Sequence, residues 1–183
     1  MRYRISVFKK QFPLVKWFTI HLLYYWELTA QNKDLRHGPF WTFTIDGHPS
    51  MTCIYWCMVF GSQGSNPTHW KNLVRKADQE KLRRLFLKSV LKRTGFTESE
   101  WTDYWHKMVT FRDKYVVHRD KYREPVPHFA KALAVAYAYD DWIRKTCFPG
   151  SWEEPPFEDQ EQDTRSNIRS YIEHLASNEH RWV

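Results

Sequence analysis

Cysteine is scarce in this 183-residue chain: Cys53 and Cys57 lie four apart in CIYWC, and Cys147 stands alone. An odd count at that spacing excludes the disulfide framework of a small secreted domain. Long apolar runs are also missing. LVKWFTIHLLYYW is broken by Lys16 and His21, so no stretch reaches the roughly 18 residues that a membrane span requires. The basic opening, MRYRISVFKKQFPLVKW, is followed by no apolar core of signal-peptide length and no small-residue cleavage site. These absences point to a reduced, cytoplasmic protein with no membrane partner.

Acid is short everywhere except in one place. Residues 149–163, PGSWEEPPFEDQEQD, hold six acids and no Lys or Arg, so the remainder stands at +13 against +7 for the whole chain. That is the electrostatic footprint of a partner rich in negative charge, although basic surfaces also serve solubility alone. Ten Trp, ten Tyr and twelve Phe exclude a disordered chain and suggest a ring-packed core with aromatic surface left for an interface.

Periodicity predicts helices throughout. Residues 12–32 place Leu14, Val15, Phe18, Leu22, Tyr25 and Trp26 on one stripe, closed by Gly38 and Pro39. PFWTFTIDGHPS reads as an extended connection, followed by a helix from Pro49 to Phe60 with Ser50 as its cap. GSQGSNP is a turn and THWKNLVRKA a short helix. Asp78 is placed to cap the next helix, with Leu82, Leu85, Phe86 and Val90 on one face and Gly95 at its end. Thr97 and Glu100 have capping-box spacing ahead of a long helix that prolines 125 and 127 stop. Pro127 suits the first turn of the helix after it. The acidic segment reads as a mobile loop, and a terminal helix carries Ile168, Ile172 and Leu175. The expected architecture is an all-α bundle of four to six helices, organised as a helical domain over 1–148, the acidic loop over 149–163, and a terminal helix over 164–183 packing on that same domain.

The concentrated polar site is FRDKYVVHRDKY, residues 111–122. Arginine followed by histidine after four to six intervening residues is a weak signal, since this composition gives about two such pairs by chance. The chain has three: Arg112 with His118, Arg123 with His128, and Arg169 with His174. Context separates them. The second straddles the break EPVP, and the third is explained by the solvated face of an amphipathic helix. Only Arg112 is followed at once by a short acid, Asp113, and only His118 sits where a helix is about to end.

These groups suit metal-independent cleavage of RNA, with no cofactor. A neutral histidine can take the proton of a ribose 2′-hydroxyl, and a protonated one can deliver a proton to the leaving 5′-oxygen. Arginine offers a permanently charged planar fork to a phosphate gaining charge in the transition state. Asp113 would orient Arg112 or fix the histidine tautomer. Residues six apart on a regular helix stand about 240° apart around the axis and about 9 Å along it. Arg112 and His118 can therefore cooperate only if the helix unwinds near Val117 or if two chains build the site across a two-fold axis.

The run RDKYVVH, together with the upstream WCMVFGSQGSNPTHWKNL, resembles the HEPN superfamily, and within it the HEPN-like proteins of the abortive-infection (AbiU) type. The resemblance spans residues 12–146. It implies an all-α bundle and a homodimer with a composite active site. It also implies an endoribonuclease of phage defence or of a toxin–antitoxin system, held in check by a cognate inhibitor protein. Carried onto this chain, Arg112 and His118 take the catalytic roles and Asp113 the polar supporting one. Lys114, Arg119 and Lys121 are the neighbouring cations placed to hold RNA.

A non-catalytic helical module that binds a protein or nucleic acid is the alternative, with Arg112 and His118 serving an interface or an ion pair. HRD at 118–120 lacks the asparagine of a kinase catalytic loop, since Pro125 stands in its place, and no G-x-G-x-x-G precedes it. Cys53 and Cys57 read as buried helix residues rather than as metal ligands. His69 and Trp70 fit either base stacking or packing at a helix start.

Overall fold

The computed structural model describes residues 1–31, 39–118, 125–150 and 152–178. Among them the chain is all-α, six helices without a strand. Helix α1 runs over Ile5–Ala30 and begins seven residues before the expected Phe12, with Pro13 inside it. An internal proline deprives the carbonyl four residues back of its donor. Here both Pro13 and Lys9 lie on the exposed side. The extra turns place Phe8 against Phe148 and Trp152, at centroid distances of 4.9 and 5.4 Å.

Helix α2 covers Pro39–Phe60, so the segment expected to be an extended connection is helical. Local propensity was overruled by packing. Gly47 and Pro49 together cost about 4 kcal/mol in a helix interior. Trp41 and Ile45, each 6% exposed, are buried against Leu23, Leu28, Ile168 and Ile172. Burying two such side chains returns roughly 2–3 kcal/mol each.

Two 3-10 turns follow, Trp70–Leu73 and Lys76–Asp78, in place of the expected short helix. Helix α3, Gln79–Thr94, starts without the expected Asp78 side-chain cap, because Asp78 closes the preceding 3-10 turn in a helical conformation. Its buried face is Leu82, Phe86, Leu87 and Val90, while Leu85 is 40% exposed. Gly95 ends it at φ 72°, the left-handed conformation that glycine adopts freely. The Thr97–Glu100 capping box is formed and opens α4, Glu98–Phe111.

Helix α5 spans Phe129–Trp142, with His128 at its cap, so Pro127 lies just outside its first turn. Helix α6 spans Glu161–Asn178, burying Ile168 and Ile172 but leaving Leu175 half exposed.

In the bundle α2 lies along α1, α3 along α5, and α6 on the outer side of α1. The centre is aromatic: Trp56, Phe60, Phe86 and Tyr139 are almost fully buried. Gln11, fully buried, ties three parts together. It donates to the His69 carbonyl at 2.9 Å and accepts from the Tyr139 hydroxyl at 2.8 Å.

The acidic segment, expected to be a mobile loop, is packed. Phe157 is buried and donates its N–H to Asp140 at 2.9 Å, Lys16 holds Glu154, and Arg93 pairs with Glu158. Cys53, Cys57 and Cys147 are buried free thiols. No described helix is long and apolar enough to cross a membrane.

Candidate functional site

Helix α4 is fixed at its start by the capping box and along its length by α2. Met108, fully buried, supplies the carbonyl to which both Cys53 Sγ and Cys57 Sγ donate, at 3.7 and 3.8 Å. Hydrogen bonding to Cys57 and then burial push the Cys53 thiol well above its ordinary pKa, so it stays a neutral donor. This fastening delivers Arg112 to the C-terminal end of α4.

From Arg112 to Val117 the helix widens into a π-type turn, ending with His118 N–H on the Asp113 carbonyl at 3.3 Å, an i→i+5 bond. Widened turns of this kind recur at functional sites. Asp113 Oδ1 accepts from Arg112 Nε at 2.7 Å and from Nη2 at 2.6 Å, so the carboxylate orients the guanidinium. The Arg112 side chain is 25% exposed and stays close enough to Cys53 for its charge to be felt there. Lys114 and His118 are exposed, and the bond between His118 and Asp113 is a backbone one, not a contact of the imidazole with the carboxylate. Arg119 and Lys121 lie outside the described residues.

The helix is thus widened near Val117 rather than unwound. An i→i+5 turn carries somewhat more than four residues per revolution, so six steps are about one and a half turns. Arg112 and His118 remain on different sides of one chain. Tyr115 and Val117 beside them are 42% and 57% exposed, and Val126, beyond the break, is 56% exposed.

The two other Arg–His pairs have separate fates. Arg123 lies outside the described residues. Arg169 is no merely solvated residue: it joins Arg165 in holding the buried Glu27, with Nε and Nη1 respectively at 2.6 Å from its carboxylate. Burial pushes the Glu27 carboxyl up, but the hydrogen bonds from Arg169 and Arg165 outweigh it and hold the pKa below the ordinary value.

His69 and Trp70 pack as a helix start. His69 Nδ1 accepts the Lys71 N–H at 3.3 Å, and burial followed by the Lys71 charge pushes its pKa down to about 4, so it is neutral.

Two features escaped the sequence because they join distant segments. His21 on α1 and His48 on α2 meet Nδ1 to Nδ1 at 2.9 Å. Burial lowers the pKa of both, and for His48, with the His21 charge added, it falls to about 4. The pair is therefore a neutral hydrogen bond between helices at physiological pH. The second is a cavity of about 340 Å3 beside α4, walled by Trp70, Trp101 and Trp105. In the sequence Trp70 fits either base stacking or packing, and nothing there joins it to Trp101 and Trp105.

No protein-family model, curated protein or solved structure matches this chain.

Proposed function

We propose that the chain is a metal-independent endoribonuclease whose site is completed when two copies pair at the 112–118 end of α4. The observation that carries the proposal is the widened turn, which begins with an arginine locked by its neighbouring carboxylate and ends with an exposed histidine. A structural arginine would use its fork inside the protein. Arg112 has two nitrogens on one oxygen of Asp113 and its side chain is a quarter exposed, which suits a phosphate clamp.

The chemistry follows from the groups. Neutral His118 takes the proton of a ribose 2′-hydroxyl, and the 2′-oxygen attacks the adjacent phosphorus. Arg112 meets the charge growing on the phosphoryl oxygens. The P–O5′ bond breaks, and the departing 5′-oxygen receives a proton from the imidazolium of a second His118. The products are a 2′,3′-cyclic phosphate and a free 5′-hydroxyl. The separation of Arg112 and His118 around one helix is the reason a second chain is required. Tyr115 and Val117 supply exposed apolar area beside the motif for an isologous contact. Lys114, exposed on the same turn, is available to a neighbouring phosphate.

The test is cleavage of an end-labelled structured RNA in EDTA by the wild type and by His118→Ala of matched fold and oligomeric state. Cyclic-phosphate ends made by the wild type and lost in the variant are expected. No cleavage by either protein, over several RNAs and pH 6 to 8, would leave the chain a binding module.

A further inference from the structure

The seam between α2 and α4 opens, where α2 ends at Phe60, into the cavity of about 340 Å3. Its walls combine two chemistries. Trp70, Trp101 and Trp105 provide flat apolar surface over Phe60 and Phe86, whose rings stack at 6.1 Å. Among the described residues Lys71 and Arg83 are the charged side chains that line it, and no carboxylate does. Trp105 Nε1 donates to the Phe60 carbonyl at 2.8 Å, which fixes the indole before any ligand arrives. Lys71 Nζ sits 5.8 Å from the Trp70 ring centroid, and Arg83 meets the exposed Glu80 only at 3.5 Å, so both cations are within reach of an anion.

Trp101 and Trp105 are half-buried, whereas the rings of the central core, such as Trp56 and Phe60, are almost fully buried. A planar, apolar, negatively charged ligand fits this lining, and a nucleobase with its phosphate has that chemistry.

Position adds a second argument. Trp105 and Arg112 are seven residues apart on α4, which is 20° short of two full turns, so they share a face. They are about 10 Å apart along the axis, roughly the span of three stacked nucleotides. The same face carries Met108, fastened to Cys53 and Cys57 on α2. The cavity and the arginine are thus two stations on one rigid seam.

We infer that this cavity holds one base of a single-stranded RNA, its phosphate against Lys71 and Arg83, about three nucleotides from the bond addressed by Arg112 and His118. The strand's direction toward Arg112 rests on the ribonuclease proposal; the base-binding cavity itself does not.

The experiment measures fluorescence anisotropy of a fluorescein-labelled single-stranded RNA dodecamer with the full-length protein. Lys71→Glu/Arg83→Glu is compared with Lys81→Glu/Arg84→Glu, which makes the same charge change at exposed α3 positions outside the cavity. The cavity variant should bind roughly tenfold more weakly than the control variant, the loss of one stacked and paired nucleotide. Equal weakening by both variants would overturn the inference, leaving only a general basic field. Trp101→Leu should lose affinity while Trp101→Phe retains it, at thermal midpoints shown to agree; equal affinity of the two also counts against stacking. Competition by free AMP as strong as by the unlabelled strand would overturn the strand assignment.

Cleavage separates this inference from the function it builds on. A dinucleotide substrate, too short to reach the cavity, should be cut equally by wild type and cavity variant, while the dodecamer is cut about tenfold more slowly by the variant at subsaturating concentration. Cavity-dependent binding with no cleavage of any RNA would sink the ribonuclease proposal and leave the cavity standing.

Discussion

Two helices of this bundle end in the same backbone device and put it to opposite uses. α4 widens into a π-type turn over Arg112–Val117, and α5 does so over Ile143–Cys147. Each turn carries an arginine near its start. Arg144 is 9% exposed and uses each of its three nitrogens inside the protein: Nε on Asp140, Nη1 on the Glu154 carbonyl, Nη2 on the Pro155 carbonyl. Its guanidinium also stacks 4.1 Å from the Trp152 ring. Arg112 has one carboxylate partner, from the next residue, and its turn has no buried member. A widened turn is therefore no site by itself. What distinguishes the two among the described residues is where the arginine's hydrogen bonds go: those of Arg144 reach a buried carboxylate and two carbonyls of the acidic segment, those of Arg112 the carboxylate of the next residue.

The comparison breaks most visibly in activity. His118→Ala should lower RNA cleavage by about two to four orders of magnitude, the span usual for a general acid–base group. Its unfolding free energy should stay within about 0.5 kcal/mol of wild type, since the side chain is exposed. Parallel rate and urea-denaturation measurements check both parts. A large stability loss at unchanged rate would reverse the roles assigned to the two turns.

The matching change in the other turn is Asp140→Ala. It leaves Arg144 buried without its carboxylate and removes the acceptor of the Phe157 N–H. Breaking a buried pair from one side costs about 3–5 kcal/mol. Urea unfolding should register that loss, with the rate per folded molecule unchanged. Because Asp140 joins α5 to the acidic segment, limited proteolysis should cut near residues 152–160 sooner in the variant.

The helical class, the left-handed Gly95, the capping box at Thr97 and the buried cysteine pair were legible in the sequence, because each depends on residues close together in the chain. The failures share one cause. Pro13 inside α1 and Gly47 with Pro49 inside α2 are strong local stop signals, and they lost to aromatic burial against segments more than a hundred residues away. The acidic segment looked mobile from its charge and prolines, while its anchors, Lys16, Arg93 and Asp140, lie on three different helices. Of the candidate site, the adjacency of Arg112 and Asp113 could be read directly. The tryptophan cavity could not, since its walls come from a 3-10 turn and three helices.

A smaller effect is expected where the terminal helix is fastened. Glu27 is held below the ordinary carboxylate pKa by Arg169 and Arg165. A depressed folded-state pKa contributes stability that is present above the unfolded value and lost as pH falls through the folded one. Acid should therefore weaken the hold of α6 on α1 below about pH 4.5, the ordinary range of a glutamate. Glu27→Gln should remove about 2 kcal/mol at neutral pH and flatten that acid limb, with cleavage at pH 7 unaltered. Hydrogen exchange of α6 amides between pH 3.5 and 7 measures it. An unchanged acid limb would mean that the ionised form of Glu27 is not what secures the helix.

The smallest effect sharpens the comparison most. Thr97 caps α4 at the end opposite the widened turn, with Glu100 returning the bond to the Thr97 N–H at 2.7 Å. Thr97→Ala should cost about 1 kcal/mol. If α4 is a rigid rod pinned along its length by Trp105 on Phe60 and Met108 beneath Cys53 and Cys57, fraying its first turn should not reach Arg112, fifteen residues on. Cleavage by the folded variant should then match wild type. A rate that fell with the cap would show that the widened turn draws its geometry from the whole helix rather than from the α2 seam. The α5 turn, secured by Arg144 and the packed acidic segment, would then be the only one of the two held locally.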